Sequence, residues 1–313
     1  MDILTQNIED RGYDPDETRA YRARLTLCKK GGVEISVSVP FVRSLDPIPP
    51  SMLMPKEMTG DERLERDLAN ARRAARHARQ SLRHLLKCMN AQYLWTFTFR
   101  DDVDDIKIAQ KCYARFLRLF REKYPETKFV CVPERHSKNR TSWHLHVATS
   151  DRLDVYDVRR FWWMALGHRV EISYSTEGSK TKKELIGYVK QGSEWVRALP
   201  EEIRGNVDVK AHSARWGNNK TQWDASRLAS YLAKYMEKTF EEATKSARRY
   251  WPSKNCERPQ VDRFWLMATN LEDAIIEAHK IVKQLYGCAH VQIFLSRDYL
   301  SLWISGSGME IPF

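Results

Sequence analysis

Trp143-His144-Leu145-His146-Val147-Ala148-Thr149 is the stretch on which the fold turns. Read as a β-strand, it sends successive side chains to opposite faces, so His144 and His146 point one way and Leu145 the other. Such a strand needs partners. Tyr93, Trp95, Phe97 and Phe99 alternate with Leu94, Thr96 and Thr98 and predict one. Residues 128–134 predict another, and the polar, basic run from His136 to Ser142 reads as a hairpin loop leading into the histidine strand. Between these two, Ile106, Ile108, Tyr113, Phe116, Leu117, Phe120 and Tyr124 recur at helical spacing. Beyond Thr149 the pattern predicts a helix over 156–166, a strand over 168–174, a basic loop at Lys180, Lys182 and Lys183, a short strand at 207–209, and a helix from 224 to about 245. Strands joined by hairpins and by helices predict an α+β fold with a mainly antiparallel sheet.

Outward from this block the chain changes character. Residues 1–57 read as sparsely structured, with one strand-like alternation at Val33, Ile35, Val37 and Val39 after Gly31-Gly32, then a linker marked by Pro47, Pro49, Pro50 and Pro55. Residues 58–90 predict a long basic helix. Thr59 is its N-cap and Glu62 completes a capping box. Leu64, Leu68, Ala71, Ala75, Ala78, Leu82 and Leu85 form a heptad seam that asks for a partner. Arg72, Arg76, Arg79 and Arg83 form a neighbouring stripe, either a solvated face or a phosphate-contacting one. Residues 91–250 hold the main domain, and 251–313 predict a small β-α-β-β region.

Composition narrows the function. Among 313 residues, 42% are hydrophobic and 30% charged, which excludes wholesale disorder. No apolar run is long enough to span a bilayer, and the first residues have no basic start followed by an apolar stretch, so a cytoplasmic location is expected. Fifty-two Lys and Arg against forty-one Asp and Glu leave a net charge of +11, which suits a polyanionic partner such as nucleic acid; a merely basic surface would give the same balance. Cys28, Cys88, Cys112, Cys131, Cys256 and Cys288 contain no C-x-x-C pair, which argues against a zinc ribbon, and are expected as reduced thiols.

Two same-face histidines on a strand are a ready pair of metal ligands. Glu134 ends the preceding strand, and a hairpin returns it beside them. A carboxylate with two imidazoles leaves positions open for water or phosphate oxygens, which suits Mg²⁺ or Mn²⁺ as a Lewis acid. Alternatively, Glu134 pairs with Arg135 or Lys138 at the loop base. The second chemical element is Tyr231-Leu232-Ala233-Lys234-Tyr235-Met236-Glu237-Lys238. At about 100° per residue, Tyr231, Lys234, Tyr235 and Lys238 share one arc of the helix. Ala229, Leu232, Ala233, Met236 and Phe240 take the core side. A tyrosine phenol beside lysine can serve as a covalent nucleophile toward a phosphate; an ordinary amphipathic helix would carry the same pattern.

These blocks, with Trp95-Thr96-Phe97-Thr98-Phe99 before them and Gly205-Asn206-Val207-Asp208-Val209 between them, resemble the HUH endonucleases. Within that superfamily the chain looks like the rolling-circle replication initiators of phages and plasmids, in the two-tyrosine form of isometric-phage gene A initiators. The resemblance covers roughly residues 91–245, about half the chain. It implies a central sheet of about five antiparallel strands with flanking helices. It implies metal binding by His144 and His146, with Glu134 as third ligand, nucleophilic roles for Tyr231 and Tyr235, and auxiliary roles for Lys234 and Lys238. The implied activity is a metal-dependent nick in one DNA strand, leaving a 5′-phosphotyrosine and a free 3′-hydroxyl, followed by a second transesterification that closes the displaced circle. Implied partners are single-stranded and origin DNA, a host helicase and a polymerase; no G-x-x-x-x-G-K-[ST] helicase sequence occurs in the chain. Lys138, Arg140, Lys180, Lys182, Lys183, Lys210 and Arg215 are candidates for gripping phosphates, and Trp216, Trp223 and Trp251 for stacking unpaired bases. Relaxases and transposases share this chemistry, and a DNA-binding regulator that has lost it shares the fold.

Overall fold

The computed structural model describes residues 21–28, 32–38, 59–135, 142–177, 180–211, 228–234, 249–268, 270–286, 290–295 and 301–307. In chain order the elements are β1 (Arg22–Cys28), β2 (Gly32–Ser38), α1 (Gly60–Cys88), β3 (Tyr93–Phe99), α2 (Ile106–Lys123), β4 (Phe129–Arg135), β5 (Trp143–Thr149), α3 (Val155–Ala165), β6 (Arg169–Glu177), β7 (Lys180–Gln191), β8 (Glu194–Arg197), β9 (Gly205–Ala211), the helical residues 228–234 (α4), β10 (Trp251–Pro252), β11 (Gln260–Trp265), α5 (Leu271–Tyr286), β12 (His290–Leu295) and β13 (Ser301–Ser307). This is the expected α+β architecture. The chain divides into two compact units, residues 70–257 and residues 1–69 with 258–313.

The larger unit is built on a five-stranded antiparallel sheet in the order β10-β4-β5-β3-β9. The histidine strand β5 is its centre, and every residue of it except half-buried His144 is buried. One face carries Trp95, Phe97, Phe129, Cys131, Leu145, Val147 and Val207 and packs with Phe116 and Phe120 of α2 and Val158 and Trp162 of α3. Edge-to-face contacts hold these rings, with centroids 4.9 Å apart for Phe97–Phe116 and 5.0 Å for Phe97–Trp162. The other face carries Leu94, Val130, Val132 and Ala148 and packs with Leu82, Leu85 and Leu86 of α1 and Leu228, Ala229 and Leu232 of α4. The sheet is thus helix-covered on both sides.

Local chemistry starts the helices. At α1 the Thr59 N–H donates to Glu62 Oε2 at 3.0 Å and the Glu62 N–H to Thr59 Oγ1 at 3.3 Å, the anticipated capping box. The heptad seam behaves unevenly: Leu82 and Leu85 are buried, whereas Leu64 is 61% exposed and Leu68 50%. Asp154 caps α3 by accepting from the Tyr156 and Asp157 N–H groups. Burial alone would raise this carboxyl's pKa, but hydrogen bonds from Lys183 and those two amides outweigh it and hold Asp154 below the usual value. Buried Asp157 accepts from Lys123 Nζ at 2.6 Å and from the Tyr124 hydroxyl at 2.7 Å. Burial and that bond to a carboxylate push the Tyr124 phenol well up.

Three sequence expectations need correction. Lys180, Lys182 and Lys183 are not in a basic loop but in β7, and β8 was not anticipated; β6, β7 and β8 form a separate antiparallel sheet. Its outer side faces solvent, so charged residues fill alternate strand positions and the sequence loses its strand signature. Trp251 is half-buried against the aromatic core, its ring 5.7 Å from that of Tyr113, rather than presented to a base. Cys28 and Cys88 are each in a disulfide, while Cys112, Cys131 and Cys256 are free thiols. Pairing depends on the distance between Cα atoms, which cysteine spacing in sequence does not reveal.

In the smaller unit β1 and β2 form the anticipated hairpin and join the C-terminal strands in the order β11-β1-β2-β13-β12. Ala274, Ala278 and Val282 of α5 are buried in the same core as Leu25, Ile35 and Ile304. Among the described residues, no helix is long and apolar enough to cross a membrane.

Gly205 opens β9 where the backbone runs against its neighbour. A Cβ there would stand 2.4 Å from the Thr98 carbonyl oxygen and 2.9 Å from Trp162 Nε1. Both are held, since Trp162 Nε1 donates to Thr98 O at 3.2 Å. Gly205→Ala is therefore expected to cost about 1–3 kcal/mol, read as a lower urea midpoint; an unchanged midpoint would show that the edge strand yields freely.

Candidate functional site

The ladder of the central sheet builds the site. Antiparallel pairing sets Glu134 of β4 opposite His144 of β5 and Val132 opposite His146. On the far side of β5, His146 lies opposite Thr96 of β3, and Thr96 opposite Asp208 of β9. Residues paired across antiparallel strands share a face. Glu134, His144, His146, Thr96 and Asp208 therefore lie on one side of the sheet, with Leu94, Val130, Val132 and Ala148.

His146 is held at both ring nitrogens. Nε2 is 2.9 Å from Glu134 Oε2, and Nδ1 is 3.3 Å from Thr96 Oγ1. The pair is well shielded, with 5% of His146 and 6% of Glu134 exposed. His144 is half-buried and Asp208 exposed. A carboxylate and two imidazoles at the end of one hairpin form a donor set chemically suited to a divalent cation. Glu134 and His146 bond directly to each other, and among the described residues no group of three or more His, Cys, Asp or Glu is arranged as a metal centre.

The tyrosine segment lies on the same side of the sheet. Leu228, Ala229 and Leu232 of α4 are fully buried in the cluster containing Val132, the residue opposite His146. Tyr231 is half-buried against that cluster, and Lys234 is exposed one turn on. The helix is thus anchored by its apolar stripe, as the sequence periodicity anticipates. Tyr235, Lys238, Lys138, Arg140, Arg215, Trp216 and Trp223 lie outside the described residues. Lys210 is half-buried on β9, one step along the same face from Asp208.

Thr96 and Asp208 were not singled out from the sequence. Each had a signal: a polar residue between apolar neighbours in a strand, Trp95-Thr96-Phe97 and Val207-Asp208-Val209, facing away from the aromatic core.

No curated protein matches the chain, and no solved structure matches it. Residues 92–240, just under half the chain, match the model of a family described as replication-associated protein ORF2. That range holds β3, β4, β5, β9 and α4, the elements that carry the histidines, Glu134, Thr96, Asp208 and Tyr231. Over residues 92–240, then, the chain matches the ORF2 family of replication-associated proteins.

Proposed function

We propose that this protein is a single-strand DNA endonuclease and strand transferase that starts and ends rolling-circle replication. The observation that carries the reading is the placing of the His144–His146–Glu134 hairpin end and the Tyr231 helix on one face of one sheet, within the segment that matches the replication-associated family.

His144, His146 and Glu134 would hold Mg²⁺ or Mn²⁺, which when bound supplies Lewis-acid polarisation of a phosphodiester. The chain's own residues do the rest. The Tyr231 phenol oxygen forms a bond to phosphorus, the bond from phosphorus to the 3′-oxygen breaks, and the phenolic proton is balanced by the one gained at the released 3′-hydroxyl. The product is a 5′-phosphotyrosine ester, which conserves the phosphodiester for rejoining. Tyr235 provides the second nucleophile for the closing step. Lys234 and Lys238 offset charge developing on the phosphoryl group. Thr96 keeps the His146 ring in place through Nδ1. Its partners are single-stranded and origin DNA, with a host helicase and polymerase extending the freed 3′ end, in the cytoplasm of a bacterial host.

The full chain incubated with a pool of single-stranded oligonucleotides and Mn²⁺ is expected to yield a covalent adduct on a denaturing gel. Sequencing the attached strand gives site and polarity. Failure of any adduct to form across the pool would leave a DNA-binding regulator; an adduct at transfer-type or transposon-end sequences would favour the relaxase or transposase reading.

A further inference from the structure

Along β7 the small sheet β6-β7-β8 has one covered face and one open face, while β8 is exposed throughout. The covered face is fixed by contacts: Lys183 Nζ meets Asp154 at 3.1 Å and lies over the Tyr156 ring, and a Cβ at Gly187 would meet Ile203 and Trp163. Alternation then sends Lys182, Glu184, Ile186, Tyr188 and Lys190 to the other side. Register adds neighbours to that side: Arg169, Tyr188 and Arg197 form one row, Lys190 and Trp195 the next. Two observed bonds agree with the placement, Arg169 Nη2 to Glu171 at 3.0 Å and the Tyr188 hydroxyl to Glu171 at 3.1 Å.

The open face therefore carries two aromatic rings between cations. Trp195 is 40% exposed, more than packing requires for so large an apolar ring. Lys190, directly across from it, and Arg197, two residues along, make no ion pair among the described residues. Glu171, a carboxylate of that face, is already occupied by Arg169 and Tyr188. An exposed ring flanked by free cations is the combination that single strands use, bases stacking on the ring and phosphates meeting the charges. A duplex buries its base faces and cannot engage Trp195 this way. A protein partner would gain less from a cation-rich face on a chain already carrying +11.

We infer that the open face of β6-β7-β8 is a stacking platform for single-stranded DNA, with Trp195 and Tyr188 receiving bases and Lys190 and Arg197 receiving phosphates. The choice of DNA over RNA rests on the proposed nicking function; the stacking chemistry does not.

Fluorescence anisotropy of a labelled, non-origin single strand with the full chain in EDTA tests this without cleavage. Trp195→Ala is expected to weaken binding about tenfold or more, and Trp195→Phe to retain most of it. Lys190→Gln with Arg197→Gln is expected to make the salt dependence shallower by about 1.4 in slope, about 0.7 for each lost phosphate contact. All these side chains are exposed, so thermal midpoints should not move. Wild-type affinity and slope in these variants would overturn the platform. So would an equal loss on a duplex of the same sequence, or a loss confined to self-association in sedimentation. The two readings separate cleanly. Weakened binding by Trp195→Ala in a protein that forms no adduct keeps the platform and removes the nickase, whereas adducts in wild type with unaltered binding by Trp195→Ala do the reverse.

Discussion

Replacing Tyr231 and Tyr235 together by Phe is expected to abolish the covalent DNA adduct, a loss of at least about 10³-fold, while leaving single-strand affinity within about twofold. The change removes one oxygen from each ring. For Tyr231 the ring itself does the packing, half-buried against the cluster of Leu228, Leu232 and Val132, so the fold keeps its contacts. The oxygen removed is the proposed nucleophile. The measurement is a denaturing gel of protein incubated with the trapped origin strand and Mn²⁺. Each single variant should block one of the two transfers, cleavage or closure. An adduct that persists in the double variant would refute both phenols as nucleophiles.

The second large effect separates the two histidines. His144→Ala, at a half-buried position, is expected to lower metal-stimulated cleavage about 10²-fold or more, with a smaller loss of stability than at buried His146. His146→Ala should lose as much activity and also destabilise the protein by about 1–3 kcal/mol. That change removes the hydrogen bond at 2.9 Å from Glu134, 6% exposed, and the one at 3.3 Å from Thr96. Paired measurements of nicking with and without EDTA, and of urea midpoints, distinguish the two. Undiminished nicking in EDTA would remove the metal from the reading. Equal midpoints for the two variants would mean that the Glu134–His146 pair does not stabilise the sheet.

The alternating pattern of Tyr93–Phe99 and Trp143–Thr149 was legible because their aromatic faces are buried and burial enforces period two. The capping box at Thr59 and Glu62 was legible because it is local chemistry spanning one turn. The pair β7 and β8 was not, since its outer face is solvated and accepts Lys, Glu and Arg at strand positions. Nor was the role of β1 and β2. A hairpin could be read from Gly31-Gly32 and the valines, but its pairing with β11 and β13 joins residues more than two hundred positions apart, which no local pattern encodes.

Taken alone, the residue order determined which side chains share a face: two imidazoles by strand alternation, a tyrosine and a lysine by helical pitch, both consequences of backbone geometry within a few residues. Tertiary structure decided what stands beside them. Strand register brought Glu134 to His146 and Thr96 to its other nitrogen, set Asp208 next along the row, and seated the Tyr231 helix on that same side. Register follows from which faces are buried against which helices. That is a property of the whole packed sheet and not of any one strand.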